Sequence, residues 1–371
     1  MENVLVFFGG VSCEHDISVI TGVMTVNSLR APYRGIPVYV NREGKWFTGE
    51  KLKDVGFYRK FDERKVKRVC LIAGERCLYE VKRRGKKTEV ACALNCMHGL
   101  NGEDGTLAGV LRMSDIPLAS PSVCPSAVCM DKYYSKLILA GLDVSYLPYV
   151  KIDRENYFEK RELAEKMIVQ KLGFPLIVKP ACLGSSIGIT VVKRKEDLSA
   201  ALKEAFRYDG KAIAEQALEK FREINCAAYK SGKGIVVSEC EEPFVAHDIL
   251  TFGDKYEGEG RKKFPAEIGE RLSSRIRETT KYVYRKLGFV GVIRVDFLLD
   301  GDKIYVNEIN TVPGSLAYYL FCRSTEEFPD MLAGIVKTGI ADHEDYKSNE
   351  FTYSSGSLFD GACLKKGGKS E

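Results

Sequence analysis

The chain has 371 residues, of which 45% are apolar and 29% charged, and a net charge of +5. This length allows two or three domains with buried cores, and the small, scattered charge excludes a dedicated nucleic-acid surface, because no dominant basic block or base-stacking motif is present. No apolar run approaches the roughly 18 residues a membrane span needs, so neither a membrane nor a nucleic acid is an expected partner.

The chain opens on "NVLVFF", a strand pattern that lacks the positive flank and cleavage site of a signal peptide. A helix pattern follows in "ISVITGVMTVNSLR", then strands at "IPVYV" and "TEVACALNCMHG" and a short helix at "TLAGVLRM". The basic run "VKRRGKK" reads as a solvated hairpin turn. Together these predict an N-terminal α/β domain over 1–120. From "PSAVCMDKYYSKLILAG" one helix leads to the strand "VSYLPYVKI", the helix "FEKRELAEKMIVQKLG" and the strand "FPLIVKP". A glycine-serine loop and the strand "GITVVK" close a smaller central unit, 121–210. The third unit, 211–345, carries "KAIAEQAL", "INCAAYK", "GIVVSEC", a helix near 270–287 and the strands "VGVIRVDFLL" and "KIYVNEIN". Residues 346–371 read as a loosely held tail. Strands and helices alternate throughout, which predicts the α/β class.

Twelve cysteines are spread along the chain without a C-x2-C pair, so neither a zinc site nor a disulfide framework is indicated and a reducing cytoplasm is expected. Cys92, Cys96 and His98 come nearest to a metal cluster. The surrounding "EVACALNCMHG" is better explained as a buried strand whose small cysteines pack like alanines.

Four stretches carry chemistry. In "PLIVKPACLGSSIGITVV" a strand ends at Lys179 and a loop follows with Gly184, Ser185, Ser186 and Gly188. Glycines let backbone N–H groups approach a phosphate, serines donate to it and a lysine adds charge. The spacing is not that of a Walker A loop. In "RVDFLL" and "YVNEINTVPGS", Asp296, Glu308 and Asn310 put three hard oxygen ligands on adjacent strands, amid apolar neighbours. Such a set suits Mg2+ on nucleotide phosphates. In "CMHGLNGEDG" a glycine-rich turn places His98 at the carboxyl end of a strand, where open α/β sheets bind ligands. In "FFGGVSCEHDIS" a Gly-Gly turn brings Glu14 and His15 to the same kind of edge.

The order "GGVSCEHDIS", "HGLNGEDGTLAG", "MDKYYSK", "IVKPACLGSSIG", "REINC", "GDKYEGE", "RVDFLL" and "NEINTVPGS" closely resembles the D-alanine:D-alanine ligase family of ATP-grasp enzymes, from residue 4 to about 320. The resemblance implies a three-domain ATP-grasp architecture with an N-terminal Rossmann-like domain, and ATP held between the central and C-terminal units. It implies ATP-dependent joining of two D-alanines through an acyl phosphate, for peptidoglycan precursor synthesis, with D-alanine and ATP as substrates, two Mg2+ ions (Mn2+ acceptable) and a homodimer. By the same resemblance Lys132, Lys179 and Ser186 contact phosphates, Glu215 and Leu218 hold adenine, and Glu223 binds the ribose. Asp296, Glu308 and Asn310 hold the metal. Arg294 and the Gly314 N–H stabilise the tetrahedral oxyanion. Glu14 anchors the first D-alanine with His98 nearby, and Ser185 and Tyr256 complete a link with Glu14 that closes the loop "GDKYEGEG". Lys255 and Ser315 belong to the acceptor side.

The sequence departs from the family pattern in two places. "EQALEKFRE" is one residue longer than usual between Glu215 and Glu223, with Gln216 replacing a common lysine or acid. In "PGSLAYYLF" the family has PG-x-T-x-x-S, whose serine binds the second D-alanine's carboxylate, and Tyr319 stands at that position. The acceptor therefore stays open between D-alanine, D-serine, D-lactate and another amino acid.

Overall fold

A computed structural model describes residues 1–82, 86–243 and 263–353 of the chain. Lys255, Tyr256 and the end of the expected tail lie outside the described residues. Three β-sheets succeed one another along the chain. The first has seven strands: β1 (Glu2–Gly9), β2 (Tyr33–Val40), β3 (Trp46–Thr48), β4 (Lys67–Ile72), β5 (Glu75–Glu80), β6 (Lys87–Glu89) and β7 (Cys92–Asn95). β1 runs parallel to both β2 and β7, between them, and β3 to β6 extend the sheet beyond β2 in antiparallel steps. A strand covered on both faces must be apolar throughout, and Val4 to Phe8 are fully buried. Helices α1 (His15–Ser28) and α2 (Thr106–Met113) follow the carboxyl ends of β1 and β7.

The expected long helix at 125–141 is two helices, α3 (Val123–Met130) and α4 (Lys132–Gly141). Asp131 separates them. Its backbone is extended, and its carboxylate accepts the N–H groups of Tyr133 and Tyr134 at 2.9 and 3.4 Å as an N-cap. This break places Lys132 in the first turn of α4.

The second sheet orders as β10 (Thr190–Val192), β9 (Leu176–Pro180), β11 (Lys211–Gln216) and β8 (Tyr149–Asp153), all antiparallel. Helices α5 (Arg154–Glu159), α6 (Arg161–Leu172) and α7 (Lys195–Ala205) cover it through Tyr157, Ile168, Leu198 and Leu202. β11 thus belongs to this sheet although the sequence reading ended the central unit at 210, because β11 fills the slot between β8 and β9.

The third sheet orders as β13 (Gly234–Val237), β12 (Arg222–Ser231), β14 (Val292–Asp300) and β15 (Lys303–Asn310), again antiparallel, with α8 (Glu270–Lys286) against it. A last helix, α9 (Phe328–Lys347), has no counterpart in the sequence reading and runs past its boundary at 345. Phe328, Leu332, Ile335 and Val336 of α9 share one core with Val19, Val23 and Val26 of α1 and with Val312, Leu316 and Leu320. The first and last parts of the chain are therefore packed as one body, which fixes the turn after β15 against α1.

Candidate active site

One wall of the site is the β14–β15 pair. Asp296 lies opposite Glu308 and Arg294 opposite Asn310, so the side chains of these four residues share a face. Arg294 grips Asp296 through two nitrogens, at 2.6 and 2.7 Å, and the Asn310 amide donates to the same carboxylate at 2.9 Å. A third Arg294 nitrogen donates to the Tyr319 hydroxyl at 3.4 Å. Burial, partly offset by Arg294, pushes that hydroxyl up to about 12. The structure thus brings together the residues read from sequence as metal ligands, oxyanion group and substituted acceptor position.

Facing this wall are the lysines of the central region. Lys132 lies 4.0 Å from Glu308 and donates to the Leu183 carbonyl of the glycine-serine loop at 2.7 Å. Lys179, at the end of β9, pairs with Glu215 of β11 at 2.5 Å and reaches Asn307 at 3.4 Å. Lys136 closes on the other oxygen of Glu215 at 2.7 Å. All three charged groups are buried. Burial opposes the charge on Glu215, but the two ammonium groups outweigh it and hold the carboxyl below its usual range. Leu218 lies just past β11 and Glu223 on β12, both half-buried.

The loops complete the enclosure. Ser185 donates a short hydrogen bond to Glu14, the residue just before α1, so the glycine-serine loop is fastened to the N-terminal sheet. Ser185 and Ser186 both hold the left-handed conformation, φ 52° and 58°. Two glycines make room for Glu14: a Cβ on Gly184 would lie 3.0 Å from its carboxylate, and one on Gly99 2.9 Å. Residues from all three sheet regions, including Glu103, Lys132, Gly184, Glu308 and Asn310, line one small cleft.

Beyond β15, Pro313 precedes a tight, kinked turn over Gly314–Leu320. Ser315, Leu316 and Ala317 are left-handed there, with φ of 52°, 50° and 48°. His98 is buried beside this turn, 3.1 Å from Thr21 on α1. Burial holds its imidazole down to about 4, against 6.5 for a free histidine. The unfolded chain binds this proton near 6.5 and the folded one only near 4, so stability falls as pH drops through that window. His98→Asn is expected to flatten this part of the curve by up to about 3 kcal/mol in denaturant titrations at pH 4 to 7. An unchanged slope would mean that His98 titrates as if solvated.

Sequence reasoning passed over Thr21, Glu103, Lys136 and Asn307. Lys136 was legible, since it follows Lys132 by four residues and shares its helix face. Glu103 lies inside "HGLNGEDG", where only His98 and the glycines were singled out. It is buried, accepts the N–H groups of Gly99 and Val312 at 2.9 and 3.0 Å, and is pushed up to about 8 by burial and the neighbouring charge of Glu14. Nothing in the sequence marks Thr21.

Two family models match the chain, D-ala D-ala ligase N-terminus over residues 3–121 and D-ala D-ala ligase C-terminus over 138–337. D-alanine–D-alanine ligase of Thermosipho melanesiensis is 37% identical over 354 residues, covering 94% of this chain and 96% of its own. The crystal structure of D-alanine–D-alanine ligase from Helicobacter pylori superposes with a TM-score of 0.75 at 27% identity, covering 91% of this chain and 98% of that one. The VanG D-Ala:D-Ser ligase from Enterococcus faecalis gives 0.77 at 27% identity, covering 90% and 99%. Matching family models at both ends and a site assembled from all three sheets lead to one conclusion: the chain is a member of the D-alanine–D-alanine ligase family.

Proposed function

We propose that the chain joins two D-alanines with ATP to give D-alanyl-D-alanine, ADP and phosphate, as a step in peptidoglycan precursor synthesis. The observation that carries this reading is the cleft in which Gly184, Lys132 and the Glu308–Asn310 strand end meet, closed by the Ser185–Glu14 bond. Lys132, Glu308 and Asn310 line this cleft and Ser185 ties Glu14 to its loop, which supports a reading in which phosphates, metal and amine are bound together.

The first D-alanine's carboxylate attacks the γ-phosphorus of ATP and forms an acyl phosphate. Lys132 and Lys179, with Ser186, are assigned to the phosphates, Glu215 and Leu218 to adenine, and Glu223 to the ribose. Asp296, Glu308 and Asn310 fit Mg2+ as two carboxylates and an amide oxygen on one strand face. Among the described residues no cluster of three His, Cys, Asp or Glu exists; the third protein oxygen is assigned to Asn310 on the family resemblance. Two ions, with Mn2+ as a substitute, would neutralise phosphate charge there. Arg294 keeps Asp296 aligned and offers its charge to the developing oxyanion, together with the Gly314 N–H. Glu14 holds the first ammonium, beside His98. The second amine then attacks the acyl carbon, and phosphate leaves with the bridging oxygen. Lys255 and Tyr256 are assigned to closing the site on the basis of the family resemblance. So is a homodimer, and the N-terminal, central and C-terminal units are assigned as three domains, with β11 in the central one. Free thiols at the described cysteines fit a cytoplasmic location.

Phosphate release from ATP over a panel of D- and L-amino acids and D-lactate, with product masses, tests the reading. Release with D-alanine alone and a dipeptide mass support it. Release without D-alanyl-D-alanine would sink it.

A second reading, a different acceptor, draws on Tyr319 and on the likeness to a ligase named for D-serine. The Tyr319 hydroxyl faces Arg294, so it takes the place of a small serine with a donor several ångströms farther from the backbone. If this hydroxyl binds the acceptor carboxylate, Tyr319→Phe raises the KM for the second amino acid by about tenfold and spares the first. Unchanged KM values for both would remove the hydroxyl from acceptor binding, and Ser315 and Lys255 would take that role.

A further inference from the structure

Three hydrogen bonds tie the N-terminal part of the chain to the five residues after β15. The Thr311 hydroxyl donates to the Glu103 carbonyl at 3.4 Å, the Val312 N–H donates to the Glu103 carboxylate at 3.0 Å, and the Ser315 N–H donates to Thr21 Oγ1 at 3.1 Å. Gly314 lies between these anchor points. Thr21 and His98 are themselves bonded at 3.1 Å, and Glu103 accepts a second N–H from Gly99, the neighbour of His98. Thr21 Oγ1 thus meets both the His98 ring at Nε2 and the Ser315 N–H.

The turn needs such support. Three successive left-handed residues other than glycine each cost roughly 1–2 kcal/mol, and strain of this kind persists only where the surroundings over-determine it. Leu316 and Ala317 are buried in the core shared with α1, which holds one side of the turn. Val312 is buried in the same core, and its N–H and that of Ser315 are held by Glu103 and Thr21.

We propose that Thr21, His98 and Glu103 are positioning residues, a clamp from the N-terminal sheet that sets the Val312–Ser315 turn and so aims the Gly314 N–H at the reacting carbonyl. The role in acyl transfer rests on the ligase reading, whereas the clamp itself rests on the hydrogen bonds. A donor displaced by a fraction of an ångström loses most of its worth to a transition state. Thr21 is thus tied to turnover without touching substrate.

The test is Thr21→Val, which keeps the shape and removes both hydrogen bonds, compared with Thr21→Ser, which restores them. Hydrogen exchange of peptides covering 312–317 and steady-state kinetics are measured on each full-length variant. Thr21→Val is expected to speed exchange in that segment by about tenfold and to lower kcat by about tenfold or more, with the KM for ATP unchanged and the melting temperature only slightly lowered. Thr21→Ser is expected to recover both. Wild-type exchange in Thr21→Val would overturn the clamp, and faster exchange with unaltered kcat would overturn its role in turnover. If the wild type forms no dipeptide, the ligase reading fails while the exchange arm still decides the clamp. Should Thr21→Val not fold, Glu103→Gln leaves one N–H of the Gly99–Val312 pair without its acceptor. The same faster exchange and lower kcat are expected, and wild-type values for both would overturn the proposal.

Discussion

Glu308→Gln is expected to lower kcat by about a hundredfold to a thousandfold while the fold and the melting temperature are kept. Glu308 stands opposite Asp296 in the β14–β15 pair, half-buried, with Lys132 4.0 Å away. Glutamine has nearly the same shape and can still lie along the strand, so packing is preserved. What is lost is the negative charge that balances a divalent cation and Lys132 at one point. The KM for ATP should rise and become more sensitive to Mg2+ concentration, because nucleotide and metal bind as a unit. Near wild-type turnover at saturating Mg2+ would remove Glu308 from the metal site.

Glu215→Ala is expected to destabilise the chain by about 3–5 kcal/mol, read by urea unfolding of the transition that includes the second sheet. Lys136 and Lys179 meet on this one carboxylate at 2.7 and 2.5 Å, all three groups being buried. Removing the acid leaves two ammonium groups facing each other out of water, which costs far more than the pair contributes when intact. Adding Lys136→Met to the variant should recover part of the loss, since one uncompensated charge is then gone. A loss below about 1 kcal/mol in the single variant would show that water reaches the lysines.

The sequence was most informative where local preference and tertiary demand agree. β15 matches "KIYVNEIN" and α2 matches "TLAGVLRM" residue for residue, because alternation and helical spacing there are also what packing requires. The carboxylates of the β14–β15 wall were legible for the same reason: polar oxygens in an apolar strand have to serve something. Asp131 hid its role inside a continuous helical pattern, since an aspartate can lie within a helix or cap the next one and only its contacts with Tyr133 and Tyr134 decide. For α9, Phe328, Leu332, Ile335 and Val336 do carry helical spacing, but nothing local says that this face meets α1. Left-handed Ser315, Leu316 and Ala317 run against the intrinsic preference of each residue. Contacts from residues nearly 300 positions away impose that turn, as the Thr21–Ser315 bond illustrates.

The central claim is that a carboxylate is activated as an acyl phosphate and then captured by an amine. Its most direct test uses D-alanine labelled with 18O in the carboxylate, incubated with ATP, Mg2+ and the wild-type chain. One labelled oxygen is predicted to appear in each phosphate released, alongside unlabelled ADP and a dipeptide of the mass of D-alanyl-D-alanine. Phosphate free of label, with ATP consumed, would mean that water rather than the carboxylate attacks the γ-phosphorus, and would contradict the account.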